Sequence, residues 1–173
     1  MGKGIRVLLA GVLIAALGGC LFEPRKPEGG GGAACFVALQ AQVPEQVLAN
    51  LDGSMECLQA STYMTQISPD FVFIAAPGVQ SSFPELFPVE DAWNREAERQ
   101  FIDALAGNSE DVESHLLERL IKRSGTSEVQ IEAEYRVVVS ADGSQIEYTG
   151  EAFYTFRQEQ TVWVMLRWEE KEA

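Results

Sequence analysis

Apolar residues fall on every second position from Val129 onward: Val129, Ile131, Ala133, Tyr135, Val137 and Val139. Side chains alternate faces along a strand, so these six share one side of a sheet. Asp142-Gly143 follows, a pair that accepts the positive φ a tight hairpin turn demands. A two-residue turn there sets Val139 opposite Ile146, Val137 opposite Tyr148, Ala133 opposite Ala152, Ile131 opposite Tyr154 and Val129 opposite Phe156. Apolar meets apolar at each of these pairs, and a slip of one residue would break them all. A three-residue loop at Gln158-Glu159-Gln160 predicts a third strand with Phe156 opposite Val162, Tyr154 opposite Val164 and Ala152 opposite Leu166, with Trp168 next in line.

In this register the apolar face carries no Asp, Glu, His, Lys or Arg. Glu132, Glu134, Arg136, Glu147, Glu151, Arg157, Arg167 and Glu169 fall on the other face. That face also receives Val138, Phe153, Trp163 and Met165. Two readings of these four stay open: apolar residues scattered over a surface, or an outer patch that holds a second copy or a protein partner.

Upstream the period changes to that of helices. Pro44 suits a first helical position, and Val47, Leu48, Leu51, Met55 and Leu58 recur at helical spacing, with Gly53 weakening the middle. A short helix is expected over 60–67, a turn at Ser68-Pro69-Asp70, a strand over 71–74 and an irregular loop over 77–88. A helix capped by Asp91 follows, with Trp93, Ala97, Phe101, Ile102 and Leu105 as its stripe and Gly107-Asn108 at its end. Residues 112–122 have a helical period. A strand is nevertheless expected there, because the meander would otherwise expose a long edge.

The start of the chain has a different character. Lys3 and Arg6 give a positive start to an apolar run, Ile5 to Leu17, too short for a stable membrane span. The run ends in Leu17-Gly18-Gly19-Cys20, which resembles the bacterial lipobox. The resemblance implies a signal peptide over 1–19, cleavage before Cys20 and lipid on that cysteine. Leu21 in place of Asp then implies the outer rather than the inner membrane of the cell envelope. Residues 20–34, with two prolines and four consecutive glycines, read as a flexible tether, and 35–173 as one domain. The net charge of −13 and the lack of a basic patch exclude nucleic acid as a partner. Cys35 and Cys57 read as a disulfide in an oxidising compartment, against the alternative of two buried thiols. With no CxxC and no nearby histidine, neither a metal nor a cofactor is expected.

The order helix, helix, short strand, helix, long meander, together with Pro44-Glu45-Gln46-Val47-Leu48-Ala49-Asn50-Leu51, Ser68-Pro69-Asp70-Phe71-Val72-Phe73 and Trp163-Val164-Met165-Leu166-Arg167-Trp168, resembles the NTF2-like (SnoaL-like, cystatin-like α+β) superfamily. The resemblance implies an α+β cone, with three N-terminal helices on one face of a curved, mainly antiparallel sheet around a pocket. Tyr63, Phe73, Trp93, Phe101, Tyr135, Tyr154 and Trp168 are the candidate lining, although aromatic residues more often serve simply as core, and most of these seven are expected to do so. Enzymes of the superfamily place an Asp or an Asp/His pair in the pocket. Asp70 reads instead as a turn residue and His115 as solvent-facing, so no catalytic residue is carried over. The preferred expectation is a non-enzymatic envelope lipoprotein, held to the membrane by Cys20, whose module binds a protein partner, a second copy or a hydrophobic ligand. The alternative is a pocket enzyme of the SnoaL or ketosteroid-isomerase type acting on an apolar small molecule. A buried carboxylate beside Tyr63 or Tyr154 would favour the second.

Overall fold

The computed structural model describes residues 35–82, 93–124 and 127–171, with side-chain detail for all of these except 117–124. Helix α1 (Pro44–Glu56) and helix α2 (Ala60–Thr65) lead into strand β1 (Ile67–Ile74). A short helix α3 (Pro77–Ser82) follows, where an irregular loop was expected. Next come a two-residue strand β2 (Trp93–Asn94) and helix α4 (Arg95–Asn108). The meander comprises β3 (Asp111–Ser124), β4 (Glu128–Ala141), β5 (Ser144–Glu159) and β6 (Val162–Glu170). The six strands form one mixed sheet in the order β2-β1-β6-β5-β4-β3. β1 runs parallel to β6 and every other pair is antiparallel. Residues 112–122 are therefore strand, the need to cover the β4 edge overriding a helical period.

The β4–β5 hairpin has the register its alternation and its Asp-Gly turn dictate, from Ala141 opposite Ser144 back to Val129 opposite Phe156. The turn residues Asp142 and Gly143 both take positive φ. The β5–β6 register differs from the expected one. The turn is the two residues Gln160 and Thr161, Gln160 having φ 57°, so Glu159 pairs with Val162 and Phe156 with Met165. A shift of three residues is odd, so it exchanges the faces of β6. Trp163 and Met165, expected in the outer patch, instead join the core beneath the helices. A bulge at Leu166 then restores the parity, pairing Thr155 with Arg167 and Tyr154 with Trp168. The extra residue keeps the Arg167 guanidinium off the inner face and points Trp168 onto it.

The rest of the expected outer patch does not form an exposed apolar surface either. Val138 is buried, flanked across the sheet by Glu113 and Glu147, whose carboxylates Arg136 joins. Phe153 lies under the ammonium of Lys171, which also pairs with Glu132 and Glu151.

Ser68-Pro69-Asp70 is a bulge within β1 rather than a turn before it. Ile67 pairs with Met165 and Val72 already with Arg167. The buried Ser68 hydroxyl donates to Glu159 at 2.8 Å and accepts from the Asp70 amide. Arg157 closes the bulge with bonds to Ser68, Asp70 and Glu159. Asp70 is thus a solvent-facing structural carboxylate, and His115 is exposed opposite Arg136.

Helix α1 buries Val47, Leu48, Leu51 and Met55 on the inner face of the sheet. A disulfide joins Cys35 to Cys57, fastening the chain that enters the domain to the end of α1. Gly53 is needed for that approach. A methyl group there would collide with the ring of Phe36, which lies flush on the helix. Helix α4 begins at Arg95, with Asn94 as its cap, accepting from the Glu96 and Ala97 amides. Asp91, the expected cap, lies outside the described residues. Arg95 donates to the carbonyls of Met64 and Ile67, which ties the start of α4 to the end of α2. No helix among the described residues is long and apolar enough to cross a membrane.

Candidate functional site: a carboxylate in an apolar cone

Between the helices and the curled sheet lies a cavity of about 420 Å³. Six of the seven residues expected to line it do so: Tyr63, Phe73, Trp93, Phe101, Tyr135 and Trp168. Tyr154 does not. It is wholly buried in the core below, its ring centroid 5.0 Å from that of Trp168. Its hydroxyl and the Trp168 indole nitrogen are buried without a hydrogen-bond partner among the described residues. The mouth is framed by Phe101 on α4 and by Ile146 and Tyr148 on β5, each about half exposed.

Two carboxylates enter this wall, Glu98 from α4 and Glu170 from the end of β6. The expectation of an inner face without ionisable groups is therefore corrected on two counts. Glu170, two positions after Trp168 and on the same face, pairs with Ala152, so the alternation carried one step past Trp168 already reaches a carboxylate. A helix adds Glu98, which strand alternation could not register. The sequence did carry a signal for Glu98: Phe101, Ile102 and Leu105 stand three, four and seven positions after it, placing a carboxylate within the apolar stripe of α4.

Glu98 is 5% exposed. Tyr63 on α2 donates its hydroxyl to Oε1 at 2.6 Å, and the Trp93 indole donates to Oε2 at 2.9 Å. Burial raises the Glu98 pKa above the usual carboxylate range, opposed by the bonds from Tyr63 and Trp93. The Tyr63 phenol is pushed well up by burial and by the neighbouring Glu98, so it remains a donor. Glu170 is held in parallel fashion. Tyr135 donates to its Oε1 at 2.7 Å and the Ala76 amide to its Oε2 at 3.2 Å. The Tyr135 phenol is likewise raised, by burial and then by the bond to Glu170. The Tyr135 ring lies over Gly150, its cross-strand partner, where any side chain would occupy its place.

This arrangement of helices and sheet recurs in solved proteins. A candidate scytalone dehydratase from Novosphingobium aromaticivorans superposes with a TM-score of 0.60 at 11% identity, over 75% of this chain and 80% of that one. A candidate dehydratase of the NTF2-like family from Streptomyces avermitilis gives 0.56 at 11% identity, over 75% and 92%. The chain has the NTF2-like fold. A third structure, a candidate calcium/calmodulin-dependent protein kinase type II association domain from Thiobacillus denitrificans, superposes with a TM-score of 0.56 at 13% identity, over 78% and 98%. No family model and no curated protein matches the chain by sequence. At these identities the likeness concerns the fold, and function has to be argued from the cavity.

Proposed function

We propose that the domain takes an apolar small molecule into the cone and that Glu98 transfers a proton to or from it. The observation that carries this reading is the setting of Glu98: a buried carboxylate on the wall of an apolar cavity, held by Tyr63 and Trp93. Raising a carboxylate pKa by burial brings it toward the operating pH, where a proton acceptor or donor works best. Dehydration, named for two of the fold relatives, needs such a group, one that takes a proton from carbon or delivers one to a departing hydroxyl. Removal of a proton beside a carbonyl needs the same. Phe73, Trp93 and Trp168 would exclude water around the reacting atoms.

The test uses the full chain in D₂O with an apolar aryl ketone as probe. The expected result is deuterium incorporation beside the carbonyl, slowed about a hundredfold or more by Glu98→Gln. Equal rates for the two proteins would remove Glu98 from the chemistry.

A second reading, a carrier without chemistry, is favoured by one observation: each oxygen of Glu98 already accepts a bond. It predicts a bound molecule in native mass spectrometry and no exchange in either protein. We also propose that the domain works at the bacterial envelope, tethered through lipid on Cys20. Palmitate labelling of the native chain, lost in Cys20→Ala, tests that placement.

A further inference from the structure

We propose that the cone recognises an organic cation, an amine or quaternary ammonium group carried on an apolar body. This deepens the pocket reading above and rests on it. Three independent features of the cavity point the same way. The first is charge. Glu98 and Glu170 both line the wall, and no Lys, Arg or His does so among the described residues. A carboxylate or phosphate ligand would meet two acids and no compensating cation, and a buried charge without a partner is costly. A cationic ligand would find two carboxylates already in place, and its own charge would favour their ionised form. The two acids are held still by Tyr63 and Tyr135, so binding need not order them.

The second feature is the arrangement of the rings. Phe73 meets Trp93 at 70° and Trp168 at 82°, and Trp93 meets Phe101 at 69°, with centroids 5.8–6.0 Å apart. These rings all line the cavity, and neighbouring rings meet edge to face rather than stacking. Tyr135 continues the set, at 70° to Trp168. A wall rich in aromatic rings offers π surface to a cation, with tryptophan the strongest of them. The third feature is the whole chain, whose net charge of −13 draws cations toward the mouth and repels anions.

The experiment is calorimetric titration of the full chain in nanodiscs of neutral lipid, with empty nanodiscs as control. Three probes share one apolar body: 2-(1-naphthyl)ethylammonium, 2-(1-naphthyl)ethanol and 3-(1-naphthyl)propanoate. The ammonium is expected to bind roughly tenfold more tightly than the alcohol, and the propanoate most weakly. Glu170→Gln should narrow the advantage of the ammonium over the alcohol. An alcohol that binds as well as the ammonium would overturn the inference and leave the pocket reading standing. So would an ammonium preference that survives both Glu98→Gln and Glu170→Gln undiminished. If none of the three binds, the pocket reading falls and this one with it.

Discussion

Tyr63 donates its hydroxyl to Glu98 across 2.6 Å, and both residues are shut away from bulk water. The bond links α2 to α4 over the floor of the cone. Tyr63→Phe leaves Glu98 with Trp93 as its remaining donor, so the burial that raises its pKa is less opposed. The variant should lose about 1–3 kcal/mol, the range for leaving a buried polar group short of a partner. Urea denaturation at neutral pH measures the loss.

The same burial sets the sign of a pH dependence. Glu98 in the native chain has a raised pKa, so the folded state holds its proton more tightly than the unfolded state does. Its contribution to stability is therefore fully present below the ordinary Glu pKa and declines as pH rises from there through the folded value. Asp52, also raised by burial, acts in the same direction. Glu159, lowered chiefly by its bond from Arg157, acts in the opposite one. Comparing two proteins isolates the Glu98 share. Glu98→Gln should gain stability relative to the native chain between about pH 4 and pH 7. Urea midpoints for both across that range check it, and a constant difference would contradict the assignment.

Gly150 and Tyr135 make a second coupled pair. A methyl group at Gly150 would stand 2.6 Å from the Tyr135 hydroxyl oxygen and 2.7 Å from two of its ring carbons. The ring would have to leave, breaking its bond to Glu170 and intruding on the cavity. Gly150→Ala should therefore destabilise by about 1–3 kcal/mol, as overpacking does. Tyr135→Ala makes room for the methyl group. The double variant should then be less damaged than the sum of the single ones, as thermal or urea unfolding of the four proteins would reveal.

What could be read from the chain beforehand divides along physical lines. The β4–β5 register was legible because a turn with strict backbone demands and a two-residue period agreed at every pair. The β5–β6 register was not, because Gln160 takes a positive φ without being glycine, and a bulge leaves no mark in composition. Trp168 was expected on the inner face through two misreadings that cancel: the face exchange at the turn and the bulge at Leu166. Trp163 and Met165 lie before the bulge and were misplaced. Glu98 is hidden by its own surroundings: an amphipathic helix declares itself through its hydrophobic members, whereas the informative residue of α4 is the charged one among them. By helix propensity Gly53 is a weak point in α1. The structure shows it as the seat of Phe36, a long-range contact that no local pattern contains.

That seat leads to a further prediction. The Cys35–Cys57 disulfide closes a loop of sequence separation 22 and holds Phe36 close to Gly53. Replacing both cysteines by serine should cost about 3 kcal/mol on the chain-entropy account. Gly53→Ala leaves the bridge intact but evicts the Phe36 ring. Amide exchange should then quicken around Phe36 while β4 and β5 keep their protection. Uniform loss of protection would mean that the seat stabilises the whole domain rather than its entry segment.

Asp52 does for the sheet edge what a neighbouring strand would do. β3 ends the sheet, so part of its backbone faces away from β4 and needs another partner. Asp52 on α1 accepts from the Leu116 amide at 3.0 Å and from the Ser114 hydroxyl at 2.6 Å. Glu56, one turn further along the helix, takes the Ser114 amide at 3.4 Å. The helix thereby closes this stretch of edge to other chains while docking on the sheet. Asp52→Ala would strand a backbone donor and remove the lock between α1 and β3, costing about 1–3 kcal/mol. Asp52→Asn retains a carbonyl oxygen for the Leu116 amide and should cost less. Amide exchange at Leu116 separates the two variants, rising steeply in Asp52→Ala and modestly in Asp52→Asn. Because an uncovered edge is a template for pairing, the alanine variant should also associate as its concentration increases, which light scattering would detect. If Leu116 exchanges at the native rate in Asp52→Ala, another group protects that amide and the edge-cover argument fails.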